Sequence, residues 1–394
     1  MKLLWQPVLL ALAASLAGCA TSRKPAVPPL TGDILVDAPR AIASGPARDR
    51  VIWQYRLAAA AMRQGKFDLA KQNLDEVLLT LGGIYGKDPD AKKARSYFRA
   101  EARKTFIGEP YERSMAYIYR GIIYWMDGER DNARACFRSA EFEDSDAALQ
   151  EYAGDWVLPD YLDGLATAKL GGDGSDAFQR AQANARGIKL PPARPEANVL
   201  FFVEFGPGPT KYATGQYQQE LRFNTPASPV ASAMLKVDAR QIPIAPTDDV
   251  GFQATTRGGR VMDHILGNKA VFKSATDAAG SVAMLGGITT AVASRDRTTQ
   301  QVGLGIALAG LATTLVSAAT VPKADTRAWD NLPRYLSFAC LPLPVGQHVA
   351  TLQFLDSAGQ VQSNLTKTIT LNIATTDRDK VVFVSDASIT PQTL

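Results

Sequence analysis

Histidine and cysteine are nearly missing from this chain: its 394 residues hold two histidines, His264 and His348, and three cysteines, Cys19, Cys136 and Cys340. The histidines lie far apart and none of these residues has metal-ligand spacing, so neither a metal site nor a cofactor is expected. Cys136 and Cys340 sit in apolar contexts, Ala135-Cys136-Phe137 and Phe338-Ala339-Cys340-Leu341, where a thiol packs as a small hydrophobe. A Gly-x-Ser-x-Gly elbow, a phosphate-cradling glycine loop ending in Lys-Ser/Thr, and a Cys-His nucleophile signature are also lacking. A non-catalytic protein is the expectation. Charge of one sign is lacking too. Lys and Arg number 43 against 39 Asp and Glu, a formal net charge of +4 spread along the chain, so no nucleic-acid partner is expected.

What is present begins with Lys2 and an apolar run from Leu3 to Ala17, interrupted by Gln6 and Pro7 and closed by Leu16-Ala17-Gly18-Cys19. Charge, length and small-residue exit are those of a secretory signal, too short to span a membrane as a mature helix. The four closing residues resemble the lipobox of bacterial lipoproteins. That resemblance implies removal of residues 1–18 and acylation of Cys19 as the new N-terminus. Ala20 stands where an Asp would retain such a protein at the inner membrane, so the resemblance implies a lipid-anchored position on the outer membrane, facing the periplasm. Residues 19–46 carry Pro25, Pro28, Pro29, Pro39 and Pro46 and read as an extended tether. About 350 residues remain, which favours two domains.

From 47 to 190 apolar residues recur at three- and four-residue spacing, the mark of amphipathic helices. Gly121, Tyr124, Gly128, Ala133, Phe137 and Ala140 are spaced as in a tetratricopeptide repeat, which needs small residues where two antiparallel helices cross and an aromatic to fill the gap. Ala58, Gly65, Ala70 and Leu74 resemble an earlier copy, and Gly164, Gly171, Ala177 and Ala181 a degenerate later one. The resemblance implies an α-solenoid whose first helices line a partner-binding groove. Arg56, Tyr117 and Arg120 are the candidate groove residues. A basic stretch at 89–105 reads as a solvated helical face.

Pro191, Pro192 and Pro195 mark the change to strand spacing. Strands are predicted over 198–205, 233–237, 250–255, 336–341, 348–356, 360–373 and 380–385, the fifth and sixth joined by Ser357-Ala358-Gly359. They suggest an antiparallel, β-sandwich-like domain over 196–394. Into it, at about 260–320, is inserted a helical hairpin whose arms, 281–293 and 302–319, are rich in glycine and alanine. The small-residue face suits close helix packing, in a membrane or against the sheet. Both arms are near or below the ~20 residues that cross hydrocarbon. The fold class expected is thus α+β in two domains, 47–190 and 196–394.

Tyr119-Arg120-Gly121 with Gly128, Val203-Glu204-Phe205-Gly206-Pro207-Gly208-Pro209, and Ala324-Asp325-Thr326-Arg327-Ala328-Trp329-Asp330-Asn331-Leu332-Pro333 resemble an uncharacterised family of proteobacterial lipoproteins with N-terminal tetratricopeptide-like helices and a C-terminal β domain. The resemblance brings no activity with it. Asp325, Arg327 and Trp329 form either a ligand site, with Arg327 gripping a carboxylate or phosphate, or a structural ion pair beside a packed tryptophan. Glu204 reads as a solvated strand-end carboxylate. The function expected is a scaffold for another envelope protein. The alternative is a membrane-remodelling or pore-forming homo-oligomer that uses 281–319.

Overall fold

The computed structural model describes residues 29–84, 104–145, 152–256, 323–390 and 392–394. The signal segment, Cys19, most of the basic 89–105 stretch and the 281–319 hairpin lie outside them. Among the described residues the chain is α+β, an N-terminal helical region followed by a region of three sheets.

The first helix, α1 (Ile34–Ser44), lies inside the stretch expected to be an extended tether and corrects that reading. Pro39, which removes a backbone donor, concealed it. The Asp33 side chain caps it by accepting from Leu35 N at 2.9 Å, and Ala38 is buried beneath it. Among the described residues six helices then form three antiparallel pairs: α2 (Arg50–Arg63) with α3 (Phe67–Ile84), α4 (Pro110–Met126) with α5 (Arg130–Asp144), and α6 (Leu158–Lys169) with α7 (Ser175–Asn184). The expected small residues sit at the crossings. A Cβ on Gly121 would stand 2.7 Å from the Phe137 ring, and one on Gly164 3.0 Å from Phe178, so only glycine lets these helices approach so closely.

The sheet region opens with β1 (Val199–Pro207), β2 (Thr210–Thr214), β3 (Glu220–Asn224), β4 (Ser232–Val237), β5 (Arg240–Ile244) and β6 (Asp248–Asp249). Where a strand was expected at 250–255, there is a helix, α8 (Val250–Thr255), because Asp249 caps it by accepting from Gly251 N and Phe252 N. Then come β7 (Pro333–Leu341), β8 (Gly346–Leu355), β9 (Lys367–Ile373), β10 (Lys380–Ser385) and β11 (Gln392–Thr393). One sheet has the order β10-β1-β7-β6, another β11-β9-β8-β4-β5, and β2 pairs with β3 alone. Strand β1 runs antiparallel to β7 but parallel to β10. The turn at Gly359 (φ +77°) is formed, but β9 starts only at Lys367, after a short 3₁₀ turn.

Period-two alternation divides the core in two. Leu200 and Phe202 of β1, Leu336, Phe338 and Cys340 of β7, and Val381 and Phe383 of β10 join the helices in one hydrophobic cluster. Val199, Phe201, Val203 and Phe205, with Ala339, Leu341, Val382 and Val384, join alternate residues of β4, β8 and β9 in the other. The helices therefore share a core with the four-stranded sheet. The first helix of each pair makes the contact: α2 and α4 meet β10, and α6 meets β7. Cys136 on α5 and Cys340 on β7 are free and buried, and burial pushes their thiols up to about 12 and about 11, leaving them protonated and unreactive.

The start of α6 is capped from a distance. Asp248 accepts from Val157 N at 2.9 Å and Leu158 N at 2.7 Å. Burial nevertheless pushes its carboxyl up to about 7, against the lowering by those two bonds. The folded state therefore keeps a proton that the unfolded chain, near its ordinary 3.8, has given up. The sign follows: stability contributed here falls as pH rises from about 4 to about 7, with a slope of at most ~1.4 kcal/mol per pH unit, and is level above. Urea unfolding at stepped pH should show this slope, and Asp248→Asn should flatten it even if it lowers stability throughout.

Candidate functional site

Between α2, β2 and the segment leading into β7 lies a cleft of about 430 Å³ lined by Asp49, Trp53, Arg56, Lys211, Arg327 and Asp330 among others. Four of the sequence candidates, Arg56, Asp325, Arg327 and Trp329, meet in or beside it. Arg327 N and Nε both donate to Asp325, at 3.0 and 2.9 Å, and Nη2 reaches the same carboxylate at 2.6 Å. Its Nη1 donates to Asp49 at 2.6 Å and its remaining reach goes to the carbonyls of Arg48 and Lys104. Burial opposes the guanidinium charge, but Asp325 and Asp49 outweigh it and hold Arg327 protonated more firmly than usual.

Arg56 makes a two-pronged pair with Asp330, both bonds 2.8 Å, and its Cζ stands 5.0 Å from the Trp53 ring. Trp329 is buried and stacks on Tyr55, ring centroids 4.2 Å apart and planes within 3°. Its backbone N–H donates to Glu112 at 2.6 Å. Glu112, at the third position of α4, closes a capping box with Glu109 and also accepts from Lys211 Nζ at 2.6 Å. The Lys211 side chain is 1% exposed. Its ammonium also donates to the Arg327 carbonyl at 3.0 Å and lies 5.4 Å from the Phe106 ring.

Arg56, Lys211 and Arg327 thus face Asp49, Glu112, Asp325 and Asp330, with Glu109 3.9 Å from Lys211 and Arg48 3.6 Å from Asp49. The geometry spends the fork of Arg327 on the chain's own acids, which is the structural arm of the two readings for Asp325, Arg327 and Trp329. The other two candidates stand elsewhere. Arg120 is buried, donates to Asp75 at 2.6 Å and stacks over Tyr124. Tyr117 is half-buried, and burial raises its hydroxyl.

Three further clusters join helices to sheets, and only Glu204 among them drew notice in the sequence. Far from being solvated, Glu204 is 1% exposed, accepts from Arg63 Nε at 2.6 Å and takes the Tyr119 hydroxyl. Asp379, just before β10, takes Trp125 Nε1 at 2.8 Å, Lys169 at 2.7 Å, and Arg130. Asp248 caps α6 as above. A buried carboxylate is costly without donors, and each of these has its donors on helices far away in sequence. In comparisons with known proteins, no family model, no curated protein and no solved structure matches the chain.

Proposed function

We propose that the protein is a non-catalytic, lipid-anchored lipoprotein of the outer membrane that faces the periplasm and binds another envelope protein. Within this reading the three helix pairs are tetratricopeptide-like repeats, laid as a layer on a β-sandwich-like half. The observation that carries it is the set of pairs with glycine at their crossings, Gly121 against Phe137 and Gly164 against Phe178. The Leu16-Ala17-Gly18-Cys19 run supplies the anchor.

The partner surface is placed on the second helices of the pairs. The first helices spend Arg56 and Arg120 on internal ion pairs and turn toward the sheet, whereas Leu79 on α3 is 77% exposed and Phe142 on α5 66%. Photo-crosslinkers placed singly at 79 and 142 in intact cells should capture one discrete envelope protein, and Phe142→Glu should reduce capture from 79 just as Leu79→Glu should reduce capture from 142. Capture from 120 instead, or from none of these sites, overturns this placement.

A second reading, membrane remodelling by 281–319, draws on one observation. The described residues on either side of 257–322 both lie beside the β2–β3 hairpin: α8 contacts β3, and Ala324 N donates to the Gln218 carbonyl at 2.8 Å. Among the described residues no helix is long and apolar enough to cross a membrane, and 281–319 lies outside them. Cys19→Ala separates the readings. Soluble periplasmic protein favours the scaffold, and membrane association that resists carbonate favours insertion.

A further inference from the structure

A second cleft, also about 430 Å³, opens between α5, α6 and α7, and Glu141, Asp160, Asp163, Arg138 and Arg180 line it. Asp160 accepts from Arg180 Nε at 2.9 Å. Asp163 accepts from Arg138 Nε at 3.0 Å and from Arg180 Nη2 at 3.4 Å. Glu141 differs from both. The residue as a whole keeps some exposure, yet both its carboxylate oxygens are buried and neither has a hydrogen-bond partner.

A buried polar group without a partner costs free energy, and this one belongs to a residue that lines an open cleft. Among the described lining residues three carboxyl groups face two guanidiniums, so with Glu141 ionised the lining is one positive charge short. Three more carboxyl groups act on Glu141 from around the cleft. Asp144 accepts from Trp156 Nε1, Asp155 pairs with Arg186, and Asp248 caps α6. Of the cations, Arg138 and Arg180 are already committed to Asp160 and Asp163, and their side chains are 58% and 52% exposed, able to shift as a ligand enters.

We infer that this cleft is a binding site for an alkylammonium group, whose N–H donors go to the two oxygens of Glu141. An ammonium supplies in one group what the cleft lacks, a unit positive charge and several donors. Until it arrives, burial and then the charges of Asp160, Asp144, Asp248 and Asp155 push the Glu141 carboxyl well above its ordinary range, so a proton stands in for the ligand. Binding R–NH3⁺ then displaces that proton to solvent, up to one for each ligand bound, with no other bond made or broken. The ammonium comes from a free diamine or from a lysine side chain of a protein.

The full-length protein in detergent, titrated calorimetrically at pH 7 in buffers of different ionisation enthalpy, tests this. The probes are cadaverine and a short peptide with one lysine, with the acetylated peptide as control. Saturable binding of an amine with release of up to one proton is expected, and no binding of the acetylated peptide. Glu141→Gln, nearly isosteric and uncharged, should weaken binding about tenfold or more and abolish the proton release. Cadaverine alone binding marks a free amine as the ligand, and the lysine peptide binding as well marks a protein. Failure of both amines at millimolar concentration, binding without proton release, or equal binding by Glu141→Gln overturns the site. If the variant fails to fold, proton release by the unaltered protein decides.

Discussion

Glu204→Ala is expected to lower the unfolding free energy by about 3–5 kcal/mol, the cost of breaking a buried ion pair on one side. Glu204 sits on β1 at the helix-facing parity of Leu200 and Phe202, so its carboxylate enters the helical layer rather than water. There it takes Arg63 from α2 and the Tyr119 hydroxyl from α4. Burial works against the Arg63 charge, but Glu204 more than offsets it and holds the guanidinium protonated. Alanine would strand a buried cation and a buried hydroxyl together. Against a usual total of roughly 5–15 kcal/mol that is a large loss, and it should appear as a fall in the urea midpoint. Replacing both charges, Arg63→Met with Glu204→Leu, should recover most of the loss, because an apolar pair of similar volume avoids desolvating two ions. A double variant as unstable as Glu204→Ala would show that Tyr119, not the charge, carries the effect.

Glu112→Ala should cost a comparable amount, about 3–5 kcal/mol, for a different reason. Its carboxylate collects a lysine ammonium, the Trp329 N–H and the Glu109 N–H, and so ties α4 to both β2 and the lead into β7. Without it, the Lys211 ammonium keeps the Arg327 carbonyl and a 3.9 Å approach to Glu109. Lys211→Met should cost less, since Glu112 would still accept two backbone N–H groups. Chemical denaturation of the two variants side by side checks the order, and a more severe Lys211→Met would reverse this assignment of roles.

How much of this could be read in the sequence depended on range. The helix pairs were legible because their signals are local: an apolar face at helical spacing, and glycine at the crossing close in sequence to its aromatic, as Gly121 is to Phe137 and Gly164 to Phe178. Strand β1 was legible from its apolar run Val199–Val203, which follows from its burial on both faces. Short or disguised elements were not. Helix α8 rests on one capping aspartate, α1 carries Pro39, and β5 carries Pro243 within a strand. Among the candidate residues, Arg327 and Asp325 were found because they are neighbours. The partners Asp330 of Arg56 and Glu204 of Arg63 stand 274 and 141 residues away, and no periodicity reports a meeting of that kind. The use of the first helices against the sheet, rather than in an open groove, belongs to the same class of long-range fact.

The parallel pairing of β1 with β10 has a consequence for how the chain is made. Val381 and Phe383 complete the core under the helices, and Asp379 receives donors from α4, α5 and α6, yet Asp379 stands 254 and 249 residues after its donors Trp125 and Arg130. Synthesis delivers the helices first and these partners much later. Until then the helix pairs have β1 and β7 to lie on but lack the β10 part of their shared core, and a high-contact-order closure of this sort is slow. Until β10 is made the chain thus exposes apolar surface that the folded protein covers, and a premature stop before Lys380 is expected to leave that surface open.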